Sequence, residues 1–164
     1  MDETLQKRPV RVLFVCLGNI CRSPTAEGVL RHMMIEEAPE LKVEIDSAGT
    51  ADYHVGDPPD PRTQRAALRR GIDLRGLRAR RVVPDDFSKF DLILAMDRQN
   101  LRDLASLRPA ASTAQLRLFM EYAPDSCLEV PDPYYGDEDA FERVLDLTTL
   151  AARGFVAQLR ETGS

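Results

Sequence analysis

The stretch from Val10 to Thr25 constrains the fold more than any other part of the sequence. An apolar run over Val10–Val15 is followed directly by Cys16, then by a loop that contains glycine, and then by Ser23-Pro24, which opens a predicted helix. This order places Cys16 at the carboxyl end of a buried strand and at the amino end of a helix. The helix dipole and the free backbone amides at that point stabilise both a thiolate and a bound dianion.

Strand signals alternate with helix signals along the rest of the chain. We predict further strands at Leu41–Ile45, Phe90–Met96 and Gln115–Leu118, a turn at Asp46–Gly49, and an extended segment at Arg75–Pro84. We predict helices at Ser23–Glu36, Pro61–Arg70, Asp97–Leu107 and Ala140–Arg160, and loops at Thr50–Asp60 and Glu129–Asp139. The closing helix is expected to bury Phe141, Val144, Leu145, Leu147, Leu150, Phe155 and Leu159.

This alternation implies right-handed crossovers and therefore an α/β fold. We predict a single three-layer domain over residues 1–164, with a four-stranded, parallel, doubly wound sheet, flanking helices, and a polar tail over residues 1–9. In such folds the ligand binds beyond the carboxyl ends of the strands. The first strand brings Cys16 to that edge.

Composition excludes several classes of protein. A chain of 164 residues can bury a core without disulfide bonds, and its three cysteines show no paired spacing. No apolar run is long enough to cross a bilayer, and a net charge of −5 does not indicate a nucleic-acid partner. We therefore expect a cytoplasmic protein without a membrane or nucleic-acid partner.

The charges are unevenly distributed. Arg62–Arg81 contains eight arginines and one acid, whereas Glu121–Glu142 contains eight acids and no base. One interpretation is a pair of solvated faces of opposite sign. The other is a basic wall that attracts anionic ligands and an acidic lip near a reaction centre.

The segment Cys16–Arg22 has the form C-x5-R. Five residues between a thiol and a guanidinium can wrap one turn of backbone around a tetrahedral oxyanion. Gly18 and Asn19 suit the left-handed conformations that such a turn requires. Arg22 supplies a two-pronged donor, and Ser23 can donate its hydroxyl to Cys16. The predicted phosphate-binding residues are Leu17, Gly18, Asn19, Ile20, Cys21, Arg22 and Ser23.

A thiolate that attacks a phosphate ester also needs an acid for the departing oxygen. Asp132 is our candidate because two prolines stiffen its loop and aromatic residues flank it, in the sequence V-P-D-P-Y-Y at Val130–Tyr135.

Two motifs together resemble the low-molecular-weight protein tyrosine phosphatases. They are C-L-G-N-I-C-R-S-P from Cys16 and D-P-Y-Y-G-D from Asp132. The similarity extends over Val10–Phe155 and includes S-A-G-T from Ser47, V-G-D-P-P-D from Val55, and A-M-D-R-Q-N-L from Ala95.

The resemblance implies hydrolysis of phosphotyrosine in proteins and of small aryl phosphates, with inorganic phosphate as product and with no metal or cofactor. Cys16 would form a phosphocysteine, Arg22 would hold the phosphate, and Asp132 would act as acid and then as base. Asn19 would keep the loop in shape with Ser47 as its partner. The resemblance also implies that Ser23, Ser47 and Asp97 support the loop. It implies that Tyr53, His54, Tyr134 and Tyr135 form the substrate cleft.

Two further expectations follow from the resemblance. Tyr134 and Tyr135 match positions that tyrosine kinases phosphorylate in some relatives, and the chain is expected to be a monomer. Leu77 departs from the family, since many relatives have a histidine there that bonds the loop serine. Leu77 cannot accept that bond, so the partner of Ser23 stays open at this level.

Several alternatives remain open at this level. Cys21 could fill the underside of the loop, or it could trap oxidised Cys16 as a disulfide. An arsenate reductase would need further cysteines to relay a disulfide, and Cys127, which we take as structural, is the only other thiol. Protein-arginine phosphatases tend to have threonine where this chain has Ile20. A non-catalytic phosphate or flavin binder would not need both Cys16 and Asp132.

Overall fold

The computed structural model describes residues 8–162, which contain four β-strands, five α-helices and one 3-10 turn. The strands are β1 (Val10–Cys16), β2 (Val43–Gly49), β3 (Leu92–Ala95) and β4 (Gln115–Leu118). The helices are α1 (Arg22–Glu37), α2 (Pro61–Leu68), α3 (Asp86–Lys89), α4 (Arg98–Leu107) and α5 (Glu138–Thr162), and the 3-10 turn is Phe119–Tyr122.

The strands form one parallel sheet in the order β2-β1-β3-β4. The chain leaves β1 to one side to form β2 and then crosses to the other side to form β3. The carboxyl end of β1 is therefore the point where the winding direction changes, and a crevice opens there. The predicted α/β architecture with a parallel, doubly wound sheet is confirmed.

The apolar side chains of β1 alternate between two helical layers. Val12 and Phe14 pack into the cluster that includes residues of α1, α2 and α5. Leu13 and Val15 pack on the opposite face, with Phe87 of α3 and other residues of α4 and β4. A strand covered on both faces is apolar at consecutive positions, which is why the run before Cys16 is so uniform.

The predicted turn at Asp46–Gly49 is wrong, because β2 continues through it. The strand pairs with β1 along its whole length, from Val10 opposite Val43 to Cys16 opposite Gly49. The backbone hydrogen bonds to the central strand outweigh the local turn preference of the D-S-A-G sequence.

The predicted extended segment at Arg75–Pro84 forms only an isolated bridge, between Arg81 and Gly49, within the described residues. The Gly49 amide donates to the Arg80 carbonyl at 2.8 Å, so the segment closes over the end of β2 without joining the sheet. The four-residue helix α3 follows it, and our sequence analysis missed it. Helices this short carry no periodic signal.

Helix α5 is longer than predicted, and one residue predicted to be buried is not. Leu150 is 49 % exposed, because α5 packs against α1 and the 3-10 turn through its other faces. Helix α2 ends earlier than predicted, and Gly71 (φ +81°) follows it in the left-handed conformation that closes such helices. Most of the predicted polar tail lies outside the described residues, although Arg8 pairs with Asp91 at 3.5 Å.

No helix in residues 8–162 combines the length and the apolar character that a membrane crossing requires.

Candidate active site

Two backbone amides and one hydroxyl lie within hydrogen-bond distance of the sulfur of Cys16, at the end of β1. The Asn19 amide donates to Sγ at 3.3 Å, the Ser23 amide donates at 3.4 Å, and the Ser23 hydroxyl lies 3.1 Å from Sγ. The Cys16 side chain is buried at the start of α1. Donors that point at one atom can stabilise negative charge that develops on it.

Asn19 holds the loop in its strained shape. It has φ of +59°, and its side chain donates to Ser23 Oγ at 2.8 Å and to Ser47 Oγ at 3.0 Å. Its carbonyl oxygen accepts from the Arg80 amide at 3.0 Å. The left-handed residue of the loop is Asn19, whereas Gly18 does not adopt a positive φ. The side-chain bonds offset the cost of this conformation in a residue that carries a Cβ.

Gly18 serves a steric purpose instead. A Cβ at this position would lie 3.1 Å from Cδ2 of the His54 ring. The glycine therefore allows the His54 ring, on the loop after β2, to lie close to the phosphate loop, which is the segment Cys16–Arg22.

Ser23 is hydrogen-bonded in this structure without a histidine at position 77. Ser23 Oγ accepts from Asn19, which leaves the hydroxyl proton free for Cys16 Sγ or for the Ala48 carbonyl at 3.4 Å. Leu77, which replaces the family histidine, is half-buried against the apolar core. The serine is supported from within the loop and does not depend on residue 77.

A buried carboxylate continues this network below the loop, and sequence reasoning missed it. Glu27 is 2 % exposed, and its Oε1 accepts from the Ser47 hydroxyl at 2.7 Å. Its Oε2 accepts from Arg31 at 2.6 Å. Both carboxylate oxygens are satisfied, as burial of a charge requires. An acidic residue beside the apolar stripe of α1 was the available signal.

The end of β2 supports the loop from the side. The Thr50 amide donates to the Cys16 carbonyl at 2.9 Å, and the Ala51 amide donates to the Leu17 carbonyl at 2.9 Å. At Gly49 a Cβ would lie 2.7 Å from the Leu17 oxygen, closer than real Cβ atoms approach. Gly49 is thus a second supporting residue that we had not singled out.

Arg22 is buried and fixed by acceptors from two other segments. Its Nη1 donates to Asp97 Oδ2 at 2.6 Å and to the Val130 carbonyl at 3.0 Å. Burial alone would lower the pKa of Arg22, but the negative charges of Cys16 and Asp97 outweigh it and hold that pKa above its ordinary value. Asp97 also caps α4 by accepting from Asn100, so the predicted cap at Asp97 is confirmed.

Asp132 lies on the loop after the 3-10 turn, above Arg22. Its Oδ2 is 3.7 Å from Arg22 Nη2, and its Oδ1 accepts from the Tyr134 amide at 3.1 Å. The loop is held at its base, where the Val130 amide donates to the Met96 carbonyl at 2.8 Å. Asp132 is 45 % exposed on its side chain, which leaves it accessible to a ligand above the loop.

A cavity of about 300 Å³ opens above Cys16. Most of the predicted site residues line it: Cys16, Leu17, Gly18, Ile20, Cys21, Arg22, Tyr53, His54, Asp132, Tyr134 and Tyr135. Asn19, Ser23, Ser47 and Asp97 are not among its lining residues, and their side chains act on neighbouring residues of the loop. The predicted site residues thus divide into a cavity wall and a supporting network.

His54 and Tyr134 both line this cavity. Their ring centroids are 6.3 Å apart, and His54 Nδ1 lies 3.3 Å from Asp57 Oδ2. Tyr53 and Tyr135 are more exposed, and the Tyr135 ring packs edge-on against Tyr134 at 5.0 Å. The four side chains make an aromatic rim above a polar floor.

Cys21 is buried, and Cys16, Cys21 and Cys127 are all free thiols. Burial raises the pKa of Cys21 from its ordinary value of 9.0 to about 12, with the nearby acid Asp60 adding to the effect. Cys21 also lines the cavity that holds Cys16, so both alternatives for Cys21 stay predictions. Cys127 packs beside the core and donates to the Glu129 carbonyl at 3.1 Å.

We expect Cys21 to make stability depend on pH in the alkaline range. Because its folded-state pKa of about 12 lies above the ordinary 9.0, the stabilisation from the neutral thiol is complete below pH 9 and is lost as the pH rises towards 12. In that window the free energy of unfolding of the wild type should fall by up to about 1.4 kcal/mol per pH unit relative to Cys21→Ser. Urea unfolding of both proteins at several alkaline pH values measures the difference, and parallel slopes would contradict it.

The arginine-rich and acid-rich segments pair with acids and bases near them. Arg69 and Arg70, which directly follow α2, both bond Glu142 of α5, at 2.8 and 2.6 Å. Arg75 pairs with Asp73, and Arg80 pairs with Asp46 and Asp86. This favours the interpretation as solvated faces, with the exception of Arg62, which reaches the cavity rim.

Residues 8–162 contain no cluster of three or more His, Cys, Asp or Glu side chains that could hold a metal ion.

Comparison with known proteins gives consistent matches over almost the whole chain. The model of the family described as "Low molecular weight phosphotyrosine protein phosphatase" matches residues 11–164. A Gallus gallus protein of the same name is 46 % identical over 147 residues, which are 88 % of this chain and 92 % of that protein.

Two solved structures have the same fold as this chain. The crystal structure of YfkJ from Bacillus subtilis superposes with a TM-score of 0.87 at 37 % identity, covering 96 % of this chain and 98 % of that one. The structure of a Drosophila arginine phosphatase superposes with a TM-score of 0.83 at 31 % identity, covering 91 % and 97 %.

Proposed function

This chain belongs to the low-molecular-weight protein tyrosine phosphatase family, a family of phosphoric monoester hydrolases, and we propose that it hydrolyses phosphotyrosine in proteins through a phosphocysteine on Cys16. Small aryl phosphates are substrates of the same site, and inorganic phosphate is the product. Neither a metal nor a cofactor takes part.

The observation that carries the proposal is the convergence of donors on one sulfur atom beneath a cavity that also holds an acid. Two amides and a hydroxyl surround Cys16 Sγ, and Asp132 lies 3.7 Å from Arg22 on the same cavity. Nucleophile, cationic clamp and acid are the three groups that transfer of a phosphoryl group to sulfur requires.

In the first step the Cys16 thiolate attacks phosphorus from below. The sulfur–phosphorus bond forms while the bond from phosphorus to the tyrosine oxygen breaks, and Asp132 gives its proton to that oxygen. The phosphate-loop amides and the Arg22 guanidinium stabilise the charge on the equatorial oxygens. Because Asp97 and Val130 fix the guanidinium before substrate binds, little reorganisation is needed.

In the second step a water molecule attacks phosphorus on the side that the tyrosine has left. Asp132, now ionised, takes a proton from the water, and the sulfur–phosphorus bond breaks to release the thiolate and phosphate. The Ser23 hydroxyl, 3.1 Å from the sulfur, stabilises the departing thiolate.

The cavity walls account for the preference for phosphotyrosine. Tyr53, His54, Tyr134 and Tyr135 line the cavity, and the ring of a phosphotyrosine can pack against this aromatic rim. A phosphoserine side chain is too short to carry its phosphate past these rings to the floor, and it offers no ring to bury.

An arginine phosphatase is the second candidate, because one solved structure that this chain resembles is a Drosophila arginine phosphatase. Ile20 favours tyrosine. It lines the cavity and is 8 % exposed, so a branched apolar side chain stands where a polar guanidino group would need a hydrogen-bond acceptor.

The third candidate, arsenate reduction, needs a thiol that can relay oxidation outward. The only thiol outside the phosphate loop, Cys127, donates to the Glu129 carbonyl and is not among the residues that line the cavity.

A steady-state comparison of phosphotyrosine, phosphoserine, phosphoarginine, and arsenate with thioredoxin on one preparation tests the proposal. We expect kcat/KM for phosphotyrosine to exceed that for phosphoserine by at least ~10²-fold, because only the aromatic ring fills the cavity. Faster turnover of phosphoarginine, or of arsenate, would assign the site to the second or third candidate. The Cys16→Ser variant, prepared in the same way, controls for contaminating phosphatases.

The chemistry of the site bears on the cellular compartment in which the protein works. A reaction that depends on a free thiolate belongs in a reducing compartment, which supports the cytoplasm.

The Tyr135 side chain is 97 % exposed, so a tyrosine kinase could reach it, whereas Tyr134 is only partly exposed and packs on Arg62. The monomeric state remains a prediction.

A further inference from the structure

Arg62, in the first turn of α2, lies between the phosphate loop and the loop that bears Asp132. Its guanidinium bonds the Asp60 carboxylate twice, Nε to Oδ1 at 3.1 Å and Nη2 to Oδ2 at 2.8 Å. Its Cζ lies 5.4 Å from the centre of the Tyr134 ring and 4.7 Å from that of Phe141. One side chain therefore contacts three separate segments.

The bond to Asp60 ties Arg62 to the phosphate loop. The Asp60 amide donates to the Ile20 carbonyl at 2.9 Å, and Asp60 is 8 % exposed. Burial opposes ionisation of this carboxyl, but the hydrogen bonds from Arg62 outweigh it and keep the pKa of Asp60 below its usual value. The pair is thus charged, and the guanidinium has a fixed position relative to the loop.

The ring contacts tie Arg62 to the acid. Tyr134 stands two residues after Asp132, and its amide donates to Asp132 Oδ1. Phe141, near the start of α5, follows the same loop. A planar guanidinium stacked on both rings restrains the loop on each side of its exposed tip.

We propose that Arg62 is a positioning residue, which keeps Asp132 over the phosphate loop by joining Asp60 to Tyr134 and Phe141. The inference rests on the proposed role of Asp132 as the acid. If Arg62 only stabilised the start of α2 through Asp60, its replacement would lower stability and leave the chemistry unchanged.

The test exploits the leaving group. An acid matters most when the departing phenol is weakly acidic, as in phenyl phosphate, and least when it is strongly acidic, as in p-nitrophenyl phosphate. We expect Arg62→Lys, which keeps the charge but loses the planar fork, to lower kcat/KM about tenfold for phenyl phosphate and less than about threefold for p-nitrophenyl phosphate. Competitive inhibition by inorganic phosphate should change by less than about twofold, because the phosphate loop is intact.

The matched control is Arg65→Lys, one turn further along the same helix on an exposed arginine. It should leave both substrates unaffected. A second variant, Arg62→Met, keeps the apolar stem and removes the charge, and thermal unfolding of each variant shows whether it is folded. Equal losses on both substrates in folded Arg62 variants would overturn the inference.

A double-mutant cycle separates this inference from the proposed function. If Arg62 acts through Asp132, Arg62→Lys should cause no further loss in an Asp132→Ala background. Additive losses would overturn the positioning role of Arg62 and would not affect the proposed role of Asp132 as the acid. If Asp132→Ala lowers kcat/KM equally for phenyl phosphate and p-nitrophenyl phosphate, the proposed role of Asp132 as the acid is wrong.

Discussion

Cys16→Ser is expected to lower turnover of phosphotyrosine by more than ~10⁴-fold, because removal of a covalent nucleophile removes the reaction path itself. A serine hydroxyl at this position keeps the size of the side chain. It is, however, a far weaker nucleophile than a thiolate at neutral pH. In the described part of the chain, the hydrogen-bond partners of the Cys16 sulfur are Asn19 and Ser23, and neither can act as a histidine base. Stopped and steady-state assays with phosphotyrosine measure the loss.

The same variant should still bind oxyanions. The loop amides and Arg22 remain, and the negative charge that repels a phosphate dianion from Cys16 is gone. Inorganic phosphate, titrated calorimetrically, should therefore bind at least as tightly as to the wild type. Cys127→Ser is the matched control, since it removes a thiol outside the cavity lining and should keep full activity. A Cys16→Ser variant with more than ~1 % of wild-type activity would contradict the covalent path.

Asp132→Ala is expected to lower kcat for phosphotyrosine by roughly 10²–10⁴-fold, the usual contribution of a positioned acid or base. The effect combines two steps, since Asp132 protonates the tyrosine oxygen and then deprotonates water. Affinity for inorganic phosphate should change little, because Asp132 approaches Arg22 at 3.7 Å without a close bond.

Asp137→Asn provides the control for Asp132. Asp137 lies on the same loop and is exposed, and its Oδ1 accepts from the Ala140 amide at the start of α5. We expect its replacement to leave kcat within about twofold, as for most surface changes away from a site. If Asp137→Asn lowered kcat as much as Asp132→Ala, the loop would act through its overall charge or shape.

The supporting network shows where prediction from the sequence stopped. The resemblance to a known family nominated Asn19 and its partner Ser47, because the matching motifs carry such pairs with them. Glu27 was missed, because a buried glutamate on a helix looks in sequence like any surface acid. Its burial depends on β2 running alongside α1, which only the packed structure reveals.

Arg62 is a second residue whose role the sequence could not predict. In the sequence it is one of eight arginines in a basic segment, and nothing local distinguishes it from Arg65 or Arg69. What distinguishes it is the arrival of Tyr134 and Phe141, both more than 70 positions away in the chain, against its guanidinium. Contacts between distant segments leave no periodic signal.

The alternation of strands and helices and the parallel sheet were predicted from the sequence alone, and so were the candidates for nucleophile, clamp and acid. Each depends on local pattern: an apolar run, a fixed spacing from Cys16 to Arg22, and a proline-stiffened aspartate. Tertiary structure decided that β2 continues through the D-S-A-G segment, that Asn19 and not Gly18 takes the left-handed conformation, and that Leu150 faces outward. These outcomes depend on which neighbour offers a hydrogen bond or an apolar surface, and that is settled only when segments far apart in the chain pack together.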